Sequence, residues 1–226
     1  MDLIYQMLEL QQKLNDSTNG KDWENGVTKN GKIIDWKRCI YMESAELIDS
    51  YPWKHWKNID ASVDIDNAKI EVVDIWHFVM SLVLQEYKLN MAGDINFIAN
   101  EIKKCDNYKN LEESNIKEPI DIQTSISNIE NMLKSIFTNK TPLDIVNKLF
   151  VVAIDVGLDL SSIYRLYIGK NMLNIFRQDN GYKSGEYIKV WNNQEDNMVM
   201  QNLLSNHKDI TPDELYFKLQ EIYSNL

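Results

Sequence analysis

Cysteine is nearly absent from this chain: Cys39 and Cys105 are the two among 226 residues. Their surroundings are unrelated, which argues against a disulfide framework and for a reducing, cytoplasmic setting. Cys39 reads as a small core residue. Proline and glycine are scarce as well, at four and eight, so long helices are expected rather than strands and turns. Positive charge is in deficit: 24 Lys and Arg against 34 Asp and Glu leave a formal charge of −10. Nonspecific nucleic-acid binding needs a basic face to displace counterions, so no nucleic-acid partner is expected. Long apolar runs are missing. The longest, "FVMSLVL" after His77, falls short of the roughly 18 residues expected of a membrane helix. The start, "MDLIYQMLELQQKLND", is acidic and periodic, unlike a signal peptide. No membrane partner is expected.

What is present is helical periodicity. Leu3, Met7, Leu10 and Leu14 recur at steps of three and four, which predicts a first helix from Asp2 to about Asn15. A polar stretch with three Asn-Gly pairs follows (19–20, 25–26, 30–31), read as a small hairpin or a bare loop. Asp35 can cap a second helix that ends near Ser50, before Pro52. A third helix is expected from about Asp66 to Lys88 and a weaker fourth in "DINFIANEIKK". Residues 105–120 read as a linker. Helices are expected near Asp121–Phe137, Pro142–Val156 and "LSSIYRLYIGKNMLNIFRQDN", then a basic, aromatic loop. Thr211, Pro212 and Glu214 form a capping box that opens the last helix. The fold class is all-α, one domain over residues 1–226, with eight or nine helices.

Two acid pairs stand out inside apolar helical stretches: Glu43 and Glu46 in "CIYMESAELIDS", Glu71 and Asp74 in "KIEVVDIWHF". Residues three apart share a helix face, and like charges there destabilise the helix. Either each pair faces solvent, or the two helices pack antiparallel and the four acids converge on a divalent cation. An all-oxygen ligand set selects Mg²⁺ or Mn²⁺. No His-x-x-x-His or Cys-x-x-Cys pair suggests zinc, and no Glu-x-x-His pair suggests di-iron. His77 reads as a hydrogen-bonded structural residue. Mg²⁺ is commonly shared with substrate phosphates, which points to a phosphate-bearing substrate.

Glu43-x-x-Glu46 followed by Glu71-x-x-Asp74 resembles the metal signature of the all-α nucleoside triphosphate pyrophosphatases. "LQQKLND", "WKHWK" and "YIGKNMLNIFRQDNGYKSG" narrow the resemblance to the dimeric dUTPases, close to those of Campylobacter-type bacteria. The resemblance implies an all-helical homodimer with a rigid helical core and a mobile helical part, hydrolysing dUTP, and dUDP as well, with Mg²⁺. It implies that Glu43, Glu46, Glu71 and Asp74 bind the metal, that Gln11 and Asn15 contact uracil, and that Asn174 lies at the nucleoside. It assigns phosphate to Lys54, Lys57, Lys170, Arg177 and Lys183. Glu46, or else Glu43, is the expected base for the attacking water, and Trp56, Phe78 or another ring would stack on the base. Two alternatives make different predictions: a MazG-type pyrophosphatase for another nucleotide, and a non-enzymatic helical dimerisation module whose acids are solvated.

Overall fold

The computed structural model describes residues 2–57, 60–114, 121–138 and 140–226. Among these, ten α-helices carry the fold, with one pair of two-residue strands. None of these helices is long and apolar enough to cross a membrane. The chain divides into two compact units, Met1–Ile163 and Tyr164–Leu226.

The first unit holds α1 (Leu3–Asn19), α2 (Trp36–Asp49), α3 (Ile65–Leu89), α4 (Ile95–Lys103), α5 (Tyr108–Glu112), α6 (Ile122–Phe137) and α7 (Pro142–Asp155). Its central element is α3. Consecutive residues such as Val72 and Val73, or Leu82, Val83 and Leu84, are all buried, the pattern of a helix covered on every side. α2, α7, α1 and α4 do the covering. α2 runs antiparallel to α3. Trp36 at its start stacks on Phe78 with ring centres 6.0 Å apart, while Ser50 past its end accepts a hydrogen bond from Asn67 at 2.9 Å. Much of the acid content serves helix starts. Asp2, Asp35, Asp64, Asp94 and Asp121 each accept a backbone N–H three residues on, a cap worth ~1 kcal/mol.

Three expectations change. α1 runs four residues past Asn15 and stops at Gly20, whose φ of 100° ends the helix. A Cβ there would come within 2.9 Å of the Lys29 Cβ. The Asn-Gly stretch is neither a bare loop nor a full hairpin: it holds a 3-10 turn at Trp23–Asn25 and a single antiparallel bridge between Val27 and Ile33. Trp23 is fully buried and its indole donates to Asp16 at 3.0 Å, which pins the segment. The linker contains α5, because Leu111 is fully buried and Asn107 bonds to Asn147 on α7. Residues 115–120, the rest of that linker, lie outside the described residues.

The second unit begins within α8 (Leu160–Asp179). It continues through a 3-10 turn at Tyr182–Ser184, β1 (Val190–Trp191), β2 (Gln194–Glu195), α9 (Asp196–Asn206) and α10 (Pro212–Tyr223). Its core is aromatic: the Phe176 ring meets Trp191 at 5.7 Å and Tyr216 and Tyr223 at 5.4 Å each. The hairpin turns on Asn192 and Asn193, both at positive φ, as a two-residue connection requires. The hairpin and α9 were not anticipated; with α5 and α9 the described residues hold ten α-helices where eight or nine were expected.

Candidate active site

Glu43 and Glu46 share one face of α2, and antiparallel α3 brings Glu71 alongside. One carboxylate oxygen from each of the three lies within 4.8 Å of the others. Their settings differ. Glu71 is buried at 7% exposure, Glu43 is half-buried and Glu46 is open to solvent. Asp74, one turn along α3, is half-buried and lies outside the 4.8 Å group. Carboxylates this close repel one another, and a hard cation relieves that repulsion. The group contains no histidine or cysteine, so its donor chemistry fits Mg²⁺ or Mn²⁺ and not a zinc site.

Gln11 and Asn15, one turn apart on α1, are buried at 3% and 4% exposure. Their amide nitrogens both donate to the Ser81 hydroxyl on α3, at 3.0 and 2.9 Å. Ser81 donates in turn to the His77 carbonyl at 2.8 Å. The His77 ring Nδ1 meets Gln11 Oε1 at 2.7 Å. His77 is thus part of a buried polar network and not of the carboxylate group. Such a network fixes the orientation of each member, because breaking one bond leaves a buried polar group unpaired.

The "WKHWK" segment lies nearer solvent. Lys54 pairs with Asp49 at 2.5 Å and sits 5.3 Å over the Trp53 ring. That hydrogen bond from Lys54, with one from Trp53, holds the Asp49 carboxyl below its ordinary value. Trp56 is 62% exposed and edge-on to Trp53 and His55; Lys57 is exposed. Phe78 is half-buried against Trp36.

In the second unit, Lys170, Asn174 and Arg177 fall on one face of α8 at steps of four and three. Lys170 and Arg177 are buried at 2% and 9% exposure, and Lys183 is exposed. Arg177 donates from Nε and Nη2 to the two oxygens of Asp196, each at 2.8 Å, and from Nη1 to Asn174 at 3.3 Å. Lys170 donates to Asn197 Oδ1 at 2.9 Å. Tyr187 donates to Asp196 at 2.8 Å. Burial pushes the Asp196 carboxyl up, but the bonds and charge of Arg177 outweigh it and the net direction is down. Burial, then Asp196, pushes the Tyr187 phenol up. Asp196, Asn197 and Tyr187 escaped the sequence reading. The available signal was "NNQEDN", a two-Asn turn followed by an acid where a helix can start.

A cavity of about 850 Å³ opens elsewhere in the first unit, lined by Lys37, Glu86, Tyr87, Asn90, Phe97 and Thr141. Glu86 is fifteen residues along α3 from Glu71, roughly 22 Å of helix, and no predicted site residue lines this cavity.

The family model described as dUTPase matches residues 3–182, from the start of α1 to the turn after α8. No curated protein matches the chain.

Proposed function

The chain belongs to the dUTPase family and is a dUTP diphosphatase, and we propose that it works through a divalent cation held by the α2 and α3 carboxylates, releasing dUMP and pyrophosphate. The observation that carries this reading is the approach of Glu43, Glu46 and Glu71 within 4.8 Å, inside the span that the family model matches. These three, with Asp74, would hold Mg²⁺, or Mn²⁺ in its place. When bound, the cation neutralises phosphate charge and lowers the pKa of a coordinated water. Glu46, the member open to solvent, takes the proton of the attacking water, with Glu43 as the alternative base.

Gln11 and Asn15 select uracil. An amide offers donor and acceptor together, and the Ser81–His77 network holds both amides in place. A base with the wrong edge leaves buried groups unpaired. Lys54, Lys57, Lys170, Arg177 and Lys183 hold phosphates, Asn174 meets the nucleoside, and Trp56, Phe78 or another ring stacks on the base. The resemblance to dimeric dUTPases extends the proposal to a cytoplasmic homodimer that also accepts dUDP. Light scattering tests the dimer; a single-chain mass overturns it.

The deciding experiment is pyrophosphate release from dUTP, dTTP and dCTP, each with Mg²⁺ and with chelator. Turnover of dUTP alone, and only with the metal, is expected. Equal rates on all three nucleotides overturn uracil selection; full activity in chelator overturns the metal.

A further inference from the structure

We propose that Asp196 is a positioning residue for triphosphate binding, holding Arg177 so that its Nη1 edge is the one presented on the Lys170–Asn174 face of α8. The inference rests on the reading above, that Arg177 meets phosphate.

Arginine carries its donors in a planar fork. Asp196 occupies the Nε–Nη2 edge of that fork with two bonds of 2.8 Å, and Asp196 itself is fully buried. Its oxygens also accept the Tyr187 hydroxyl at 2.8 Å and the Asn197 backbone N–H at 2.9 Å. Four donors on two oxygens fill a carboxylate's roughly four acceptor positions, which leaves Asp196 no capacity to act as base or metal ligand. A two-bond contact between planar groups fixes the plane of the guanidinium as well as its place. The Nη1 edge then points along α8 to Asn174, at 3.3 Å.

Asn197 extends the arrangement to the second cation. Its Oδ1 accepts from Lys170 at 2.9 Å and from Arg177 Nη2 at 3.3 Å. The first turn of α9 thus sets both cations of α8, and the Asn192–Asn193 hairpin delivers that turn. Stability alone is a poor reason for the pair, since buried ion pairs are often no better than apolar packing, and the Phe176–Trp191–Tyr223 aromatic core lies in the same unit.

The test is a double-mutant cycle on dUTP hydrolysis with wild type, Asp196→Asn, Arg177→Gln and the double variant, each confirmed folded by its melting curve. Positioning through Arg177 predicts that Asp196→Asn raises KM about tenfold with kcat within about threefold, and that it adds nothing in the Arg177→Gln background. An unchanged KM in Asp196→Asn, or effects that multiply in the double variant, overturns the proposal. A wild-type KM in Arg177→Gln overturns the phosphate role of Arg177 and the proposal with it, a distinguishable failure. Should Asp196→Asn not fold, Tyr187→Phe removes one bond from Asp196 and leaves both charges. It is expected to raise KM about two- to threefold and only where Arg177 is present; no rise overturns the proposal.

Discussion

Asp155 on α7 is 4% exposed and accepts a hydrogen bond from Asn128 at 2.8 Å. Burial pushes its carboxyl above the ordinary value, and the Asn128 bond offsets only part of that. The folded state therefore binds this proton more tightly than the unfolded chain. The stability it contributes is fully present below the unfolded pKa and is lost as pH rises through the folded one. Above the folded pKa the fold carries a buried charge. Asp155→Asn removes it and is expected to raise the melting temperature on the alkaline side of that pKa by about 2–4 °C, the shift of ~1 kcal/mol at this chain length. The gain should vanish near pH ~3, where either side chain is neutral; an equal gain on both sides would refute the account. Asp196 has the opposite sign. Its lowered pKa contributes stability above the unfolded value, lost as pH falls through the folded one. Glu46 is a third case, open to solvent and grouped with two other carboxylates. Glu46→Gln is expected to cut dUTP turnover by roughly 10²–10⁴-fold while the melting temperature stays within about 1 °C. A comparable loss of stability would make Glu46 a structural residue.

At the scale of elements, Gly169 is the informative position. Glycine inside a helix costs up to ~1 kcal/mol against alanine, yet α8 keeps one in its interior. A Cβ at Gly169 would come within 2.6 Å of Met200 Sδ and 2.7 Å of Leu204 Cδ1 on α9, both buried. Both atoms are the ends of flexible side chains, but both side chains are buried and must repack inside the unit; overpacking costs about 1–3 kcal/mol, which equals or exceeds the propensity gained. Gly169→Ala is accordingly expected to lower the melting temperature by about 2–6 °C and, because it lies beside Lys170, to raise KM for dUTP. A rise in stability would mean that α9 yields freely. The same packing explains what the sequence could disclose. α2 and α3 were legible because they are long and periodic, with Asp35 marking the start of α2; step lengths of three and an antiparallel pairing left convergence of the four acids as one of two open arrangements, and Glu43, Glu46 and Glu71 come together while Asp74 lies outside their group. α5 was not legible, since one buried Leu111 and an Asn107–Asn147 contact hold it, and neither has a period. The Asp196–Arg177 pair was not legible either: the residues are nineteen apart, and only the tertiary path through a two-Asn hairpin joins them. Gln11 and Asn15 could be placed on one face of α1, but not assigned to its buried side before Ser81 and His77 were seen beneath them.

The whole molecule is a polyanion with a formal charge of −10, and its substrate is a polyanion too. Binding of dUTP must overcome a repulsive field, which a divalent cation at the α2–α3 carboxylates would reverse locally. A non-hydrolysable dUTP analogue, followed by calorimetry, separates the two effects. Wild type is expected to bind it at least about tenfold more weakly in chelator than with Mg²⁺. Glu71→Gln removes one cation ligand and keeps the shape of the side chain. With Mg²⁺ it should bind more weakly than wild type, because the cation is held less well. In chelator, where no cation ligand is lost, its affinity should come within about threefold of wild type. The deficit of the variant is therefore confined to the medium that holds the cation. A purely structural Glu71 would weaken binding in both, and carboxylates remote from the nucleotide would change it in neither.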